Sequence, residues 1–158
     1  MIEQLMGDYR FDVLPHLVAL LAAYLLALPI GWNREQAERT AGLRTFPLVA
    51  IAGCGFVQTA QGITDGSPEA LARIIEGVIV GMGFIGGGAI LRLKQSVKGT
   101  ATAASLWVTG AIGISVGVGS LDVAVILSVI TFLTLSVLSP LKPEERAEGE
   151  EPGTQYER

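Results

Sequence analysis

The sequence has few of the residues on which most enzymes and metal sites depend. Its 158 residues include one cysteine, Cys54, and one histidine, His16. The chain therefore cannot form an internal disulfide or a two-histidine metal site. No C-x-x-C, H-E-x-x-H or P-loop pattern is present. We expect a protein that is not an enzyme and uses no cofactor. Since the net charge is −4, we also expect no nucleic-acid partner.

Charged residues are scarce as well, at 16% of the chain against 50% hydrophobic residues. No Asp, Glu, Lys or Arg occurs in 13–32 or in 45–64. Each of these runs is long enough to cross a hydrocarbon core of about 30 Å. Three further apolar runs follow. We predict an all-α, polytopic protein of the lipid bilayer with five transmembrane helices, at about 13–32, 45–64, 71–91, 100–118 and 121–140.

Lysine and arginine in the loops predict how the helices are oriented. Nine of the eleven fall on one side of the predicted membrane and two on the other. Because cytoplasmic loops carry the excess of positive residues, we predict an external N-terminus and a cytoplasmic C-terminus. Residues 1–12 are more acidic than basic, so we expect a short external segment and no cleaved signal peptide. Residues 141–158 predict a disordered acidic cytoplasmic tail.

Glycine is concentrated in 77–119, which holds eleven of the twenty glycines. Glycines four residues apart let helix backbones approach closely in a membrane. The predicted helix-packing residues are Gly77, Gly81, Gly83, Gly86, Gly87, Gly88, Gly113 and Gly117. Their spacing favours close helix packing within one subunit. The alternatives are a seam between two subunits, or a helix backbone that opens at 86–88 and lines a ligand site. We expect the third and fourth helices to form the packed centre, and the protein to form a homodimer.

Two ionisable residues, Arg73 and Glu76, lie inside the third predicted span. Charged side chains at membrane depth are costly to insert. Because the two residues are one helical turn apart, they could form an ion pair at the membrane interface. The alternative is a polar site that faces a cavity. The sequence leaves open whether a metal ion binds.

Polar residues gather at the predicted cytoplasmic ends of the helices and in a basic hairpin at 92–99. The predicted cluster contains Arg34, Glu35, Arg44, Ser96, Lys98, Thr100, Thr102 and Ser105. Free N–H groups at the start of the fourth helix favour an anion site. Cations placed among anionic lipid headgroups are the alternative. If the residues form a network, we expect Glu35 to pair with Arg44.

Four motifs carry a family resemblance: GWNRE at 31–35, GLRTFPLVA at 42–50, GMGFIGGGAIL at 81–91 and SVKGTATAASLWVTGAIG at 96–113. Together they resemble the MgtC/SapB family of bacterial inner-membrane proteins over roughly residues 13–140. Where this chain has Asn33, the family pattern usually has glutamate. A polar role of position 33 is therefore not carried over from the family.

The resemblance implies a regulator that acts through other membrane proteins, including ATP synthase. It also implies a link to low magnesium and to virulence. Many members carry a soluble ACT-type C-terminal domain, and since this sequence ends in an acidic tail, we expect no function that rests on that domain. The alternative hypothesis is a small oligomeric transporter or channel for magnesium, protons or phosphate.

Overall fold

The computed structural model describes residues 13–37, 41–64, 67–93 and 96–138. It contains five helices in these ranges, which confirms the predicted all-α fold. The helices are α1 (Val13–Gln36), α2 (Thr45–Ile63), α3 (Pro68–Gly88), α4 (Thr100–Gly117) and α5 (Leu121–Val137). The predicted external N-terminus and acidic tail lie outside the described residues.

Four of the five helices, α1 to α4, are long and apolar enough to cross a membrane. The fifth, α5, is apolar and has 17 described residues. At 1.5 Å per residue it extends about 26 Å, near the lower limit for a membrane span. Large apolar side chains are exposed along the outer sides of α1, α3 and α5. The chain is therefore a multi-pass membrane protein.

A short hairpin connects α3 to α4, as the sequence predicts. Strands β1 (Leu91–Leu93) and β2 (Ser96–Lys98) are antiparallel, with Arg92 opposite Val97. Gly99 then adopts a φ of 93°, which L-residues with a side chain rarely adopt. A Cβ atom at this position would also overlap the carbonyl oxygen of Ala89. Glycine is therefore required where the hairpin meets α4.

The core of the bundle lies between α2 and α4. Ten of the 18 residues of α4 are buried. Glycines on its inner side meet α2 backbone directly: a Cβ placed on Gly113 would overlap the carbonyl oxygen of Ala50, and one on Gly117 would lie 3.0 Å from that of Cys54. Such close approach permits extensive van der Waals contact between helices. The packing roles predicted for Gly113 and Gly117 thus fit this seam.

Helix α3 is peripheral, because only Met82 and Gly86 of its 21 residues are buried. A Cβ on Gly86 would lie 3.3 Å from the carbonyl oxygen of Ala103 in α4. A Cβ on any of the other five would meet no atom within 4 Å: Gly77, Gly81, Gly83, Gly87 and Gly88. The expectation that the third and fourth helices form the centre is therefore wrong, and α2 takes the place expected for α3. Nor does packing among the described residues explain these five glycines.

The alternative of an opened backbone at residues 86–88 is also wrong. Helix α3 continues through Gly88. Beyond it, the N–H of Ala89 donates to the carbonyl oxygen of Gly86 at 3.1 Å, and the N–H of Ile90 donates to that of Gly87 at 3.2 Å. The carbonyl groups of Gly86 and Gly87 are thus used to end the helix and are not presented to a ligand.

Candidate functional site

The antiparallel path of the five helices brings the positive residues Arg34, Arg44 and Lys98 to one end of the bundle, which we call the basic end. The C-termini of α1, α3 and α5 meet the N-termini of α2 and α4 there. A hydrogen bond of 3.1 Å from Nδ2 of Asn33 to Oγ of Ser136 joins α1 to α5 at this end. The residues of the predicted polar cluster therefore belong to one region of the fold.

Asn33 is the centre of the hydrogen bonds at the basic end. Besides donating to Ser136, it accepts from Arg34 through Oδ1, which receives Nε at 3.2 Å and also Nη2. Arg34 itself is only 3% exposed. A buried guanidinium requires hydrogen-bond acceptors, since an unpaired buried charge is strongly unfavourable. This role of Asn33 was not predicted from the sequence. The neighbouring arginine and the low charge of the span are the local signals for it.

Glu35 closes the connection between α1 and α2. Its Oε2 accepts a hydrogen bond from the backbone N–H of Leu43 at 3.1 Å. A Cβ atom on Gly42 would overlap this same oxygen. In the described ranges no hydrogen bond or ion pair joins Glu35 to Arg44, so the predicted pairing is wrong. The acid holds a loop in place and leaves Arg44 exposed at the start of α2.

The remaining members of the predicted cluster do not form one site. Lys98 and Thr100 are exposed, whereas Thr102 and Ser105 are buried in α4. Ser105 donates its hydroxyl to the carbonyl oxygen of Thr102 at 3.0 Å, and Thr109 donates to that of Ser105 at 2.7 Å. Both hydroxyls therefore donate to carbonyl oxygens of their own helix. The side chain of Ser96 lies outside the described set.

Arg73 and Glu76 are both exposed on α3. Within the described part of the chain neither makes an ion pair or a hydrogen bond, so the first of the two alternatives, an ion pair between them, is not formed. The described His, Cys, Asp and Glu side chains also form no group of three that could hold a metal ion. The two charges therefore face away from the bundle.

An open apolar groove lies between α2 and α3, and we call it the α2–α3 groove. Its volume is about 800 Å³. Leu48 and Phe56 line it from α2, Ile74 and Ile85 line it from α3, and Arg44 lies at its basic end. Gly77 and Gly81 also border it. A space of this size with apolar walls fits hydrocarbon or apolar side chains better than a hydrated ion.

Comparison with known proteins gives consistent matches across the bundle. The sequence profile of the MgtC family matches residues 20–143. Protein SrpB of Synechococcus elongatus is 40% identical over 129 residues, which cover 74% of this chain and 71% of SrpB. Protein MgtC of Salmonella typhimurium is 37% identical over 123 residues, covering 78% of this chain and 52% of that protein.

Protein MgtC of Brucella abortus is 37% identical over 130 residues, covering 81% of this chain and 53% of that protein. The chain thus spans about half the length of the MgtC proteins that it matches. No solved structure matches the chain.

Proposed function

Since the chain belongs to the MgtC family, we propose that it is a non-enzymatic regulator of other proteins in the bacterial inner membrane. It acts by helix-to-helix contact and contributes to growth in low magnesium and under virulence-type stress. The observation that carries this proposal is the match to MgtC proteins at 37% identity over most of the bundle.

The arrangement of polar groups in the bundle supports contact rather than transport. Every buried side-chain nitrogen or oxygen in the described residues has a hydrogen-bond partner. The hydroxyl of Ser128, for example, donates to the carbonyl oxygen of Leu26 at 2.6 Å. An ion crossing the bundle needs ligands that compensate for its lost water, and the buried side-chain groups of the described residues already make hydrogen bonds within the protein. By contrast, large apolar side chains on three helices are exposed to the membrane and to any helix within it.

A deletion strain tests the physiological part of the proposal. We expect the strain to grow more slowly than wild type when magnesium is limiting and normally when magnesium is abundant. Plasmid-borne wild-type protein should restore growth. A strain with no magnesium-dependent defect would contradict the proposed role.

Capture of the tagged protein from native membranes, followed by quantitative mass spectrometry, tests regulation by contact. We expect a membrane protein to co-purify more strongly in low magnesium, with an unrelated multi-pass protein of equal abundance as control. Loss of that partner's gene should abolish the effect of the deletion on growth. Each captured partner's gene is deleted in turn. If the deletion of this protein still slows growth in every one of those strains, regulation by contact is wrong.

ATP synthase is the partner implied by the family resemblance, and inverted membrane vesicles test it directly. ATP-driven acidification of vesicles that contain the protein should be slower than that of vesicles from the deletion strain. Equal rates at equal amounts of ATP synthase would exclude this partner.

Proteoliposomes separate the regulator from a transporter. We expect the purified protein to give no flux of magnesium, protons or phosphate above that of empty liposomes. Flux through the wild-type protein that is lost in Glu76→Gln would contradict the regulator hypothesis and support an ion transporter.

A further inference from the structure

The α2–α3 groove is open because the buried residues of α3 pack against α4. These residues are Met82 and Gly86. A Cβ on Gly110 of α4 would overlap the sulfur of Met82. A Cβ on Gly86 would lie 3.3 Å from the carbonyl oxygen of Ala103, also in α4. The space between α2 and α3 is therefore left for a molecule from outside the described bundle.

The groove reaches about halfway across a membrane. Its lining on α2 extends from Arg44 to Phe56, and its lining on α3 extends from Ile74 to Ile85. At 1.5 Å per residue these stretches are about 18 Å and about 17 Å long. Since the hydrocarbon core is about 30 Å thick, one leaflet contributes about 15 Å. The groove thus matches the depth of one lipid leaflet, whereas a transmembrane helix of another protein would cross both leaflets.

The basic end of the groove carries an unused cation. Among the described residues that line the groove, Arg44 is the only charged one and Thr45 the only other polar one. Neither side chain makes a hydrogen bond or an ion pair within the described ranges. The guanidinium of arginine presents a planar set of N–H donors that fits the oxygens of a phosphate group. The mouth of the groove is therefore suited to an anion of that kind.

The backbone at the start of α2 does not supply the same donors. The N–H groups of Thr45 and Phe46 both donate to the carbonyl oxygen of Gly42, at 3.0 Å and 3.2 Å. Pro47 has no N–H group. An anion at this end would therefore be held by the side chains of Arg44 and Thr45, so that substitution of Arg44 can test it.

A phospholipid with a net negative charge fits both parts of the groove. Its phosphate can accept hydrogen bonds from Arg44 while an acyl chain lies along the apolar walls. The loop charges predict that the basic end is cytoplasmic, and the cytoplasmic leaflet carries anionic lipids. A free phosphate ion would leave the apolar walls unused. A zwitterionic phospholipid carries its own cation beside the phosphate, which competes with Arg44.

Two of the open glycines of α3 are explained by such a lipid. Gly77 and Gly81 border the groove, and a Cβ on either would meet no atom of the described residues within 4 Å. Glycine within a helix is less favourable than alanine unless a neighbour needs the space. An acyl chain between α2 and α3 uses that space.

We propose that the α2–α3 groove binds one anionic phospholipid of the cytoplasmic leaflet, with its phosphate at Arg44 and Thr45 and an acyl chain along the apolar walls. This lipid remains bound when the surrounding lipids are removed, and the protein selects it by the charge of its headgroup. The inference does not depend on the proposed regulatory function, since it concerns only which lipid the bundle holds.

Native mass spectrometry of protein released from lipid nanodiscs tests recognition of the headgroup. The discs contain equal amounts of phosphatidylglycerol and phosphatidylcholine. We expect wild type to retain one phosphatidylglycerol and Arg44→Gln to retain about fivefold less, a ratio that corresponds to about 1 kcal/mol for one basic residue at an anionic membrane surface.

Lys98→Gln is the matched control for charge, because Lys98 is an exposed cation of the same end that does not line the groove. We expect it to retain phosphatidylglycerol as wild type does. Equal retention by wild type and Arg44→Gln, or an equal loss in Arg44→Gln and Lys98→Gln, would overturn the proposal.

Gly81→Leu tests whether the acyl chain lies in the groove, because the new side chain enters the space that the chain would occupy. Gly62→Leu is the matched control, since a Cβ on Gly62 of α2 also meets no atom within 4 Å and Gly62 does not line the groove. We expect Gly81→Leu to lose the retained phosphatidylglycerol and Gly62→Leu to keep it. Gly77→Leu is a second variant with the same expectation as Gly81→Leu.

Thermal unfolding in discs of phosphatidylcholine alone shows whether these variants fold. Wild type, Arg44→Gln and the glycine variants should have the same thermal midpoint there, because the anionic lipid is absent. A folded Gly81→Leu or Gly77→Leu that retains as much phosphatidylglycerol as wild type would show that the acyl chain does not lie in the groove, and would overturn the proposal.

Two other occupants would give different results. Inorganic phosphate added to discs of phosphatidylcholine should leave the thermal midpoint unchanged, and a rise that Arg44→Gln abolishes would indicate a site for a free anion. A membrane protein that co-purifies with wild type and is lost in Gly81→Leu, while phosphatidylglycerol is retained, would indicate that the groove holds a protein helix. Either result would contradict the proposed lipid site.

Discussion

The carboxylate of Glu35 accepts a hydrogen bond from the backbone N–H of Leu43 at 3.1 Å and fills the space next to Gly42. This contact joins the end of α1 to the start of α2. A Cβ on Gly42 would overlap the carboxylate oxygen, so any side chain at residue 42 would displace the end of the Glu35 side chain from this contact. One acid and one glycine thus set the connection between the first two helices.

Gly42→Ala should therefore destabilise the protein through displacement of Glu35. We expect a loss of about 0.5–1.5 kcal/mol, the usual contribution of one hydrogen bond, because the displaced carboxylate no longer accepts from Leu43. Glu35→Ala removes the obstruction, so Gly42→Ala should cost much less in that background, with a coupling of about 0.5–3 kcal/mol. Thermal and denaturant unfolding in lipid nanodiscs measures both effects. Additive losses would show that the two residues do not compete for the same space.

Glu35 and Arg44 should behave independently, contrary to the pairing expected from the sequence. Glu35→Gln keeps an acceptor for Leu43 and weakens a charge-assisted bond to a neutral one. Arg44→Gln removes an exposed cation. We expect the double variant to match the sum of the single variants within about 0.5 kcal/mol in the same unfolding measurement. A larger coupling would indicate a contact between the two side chains in the membrane.

The sequence predicts the helices well because an uncharged run of about twenty residues in lipid has few alternatives to a helix. It predicts the packing partners poorly. The four-residue spacing of Gly113 and Gly117 is the same as that of Gly77 and Gly81. A Cβ on either of the first pair would meet α2, whereas a Cβ on either of the second would meet no atom of the described residues within 4 Å. Spacing identifies a helix face but not the surface that meets it.

Hydrogen-bond partners that are distant in the sequence could not be predicted either. Asn33 and Ser136 are 103 residues apart, and neither residue type predicts the other as its hydrogen-bond partner. The donor to Glu35 is a backbone N–H, and since every residue except proline has one, the sequence could not single out Leu43. From the sequence, Arg44 was the more obvious partner for the Glu35 carboxylate, but in the structure the Arg44 side chain is exposed.

The seam between α2 and α4 should be intolerant of added atoms. In Gly113→Ala the new methyl group would overlap the carbonyl oxygen of Ala50, and backbone on both sides cannot move locally. We expect a loss of about 3 kcal/mol or more, at the upper end for overpacking. Gly55→Ala is the control, because its Cβ would make an ordinary contact of 3.9 Å with Leu20. Equal free energies of unfolding for the two variants would contradict the close approach of α2 and α4.

Two glycines with positive φ separate backbone strain from steric overlap. Gly99 has a φ of 93° and Gly119 a φ of 87°. Alanine at Gly119 should cost about 1–2 kcal/mol for the left-handed backbone alone, since its Cβ would meet open space. Alanine at Gly99 should cost more, because the Cβ would also overlap the carbonyl oxygen of Ala89. The two free energies of unfolding, measured side by side, should differ in that order, and the reverse order would contradict the hairpin geometry.

Asn33 provides the sharpest test of the basic end, since it accepts from Arg34 and donates to Ser136. Asn33→Ala should cost about 1–3 kcal/mol, because it removes an acceptor from a buried guanidinium. Ser136→Ala should cost less, about 0.5–1.5 kcal/mol, because it removes one bond to a half-buried amide. Asn33→Glu should be tolerated: the carboxylate accepts from Arg34 through a stronger charge-assisted bond, and the Ser136 hydroxyl can rotate to become the donor. A loss in Asn33→Glu as large as that in Asn33→Ala, with Ser136→Ala neutral, would mean that Arg34 does not depend on residue 33.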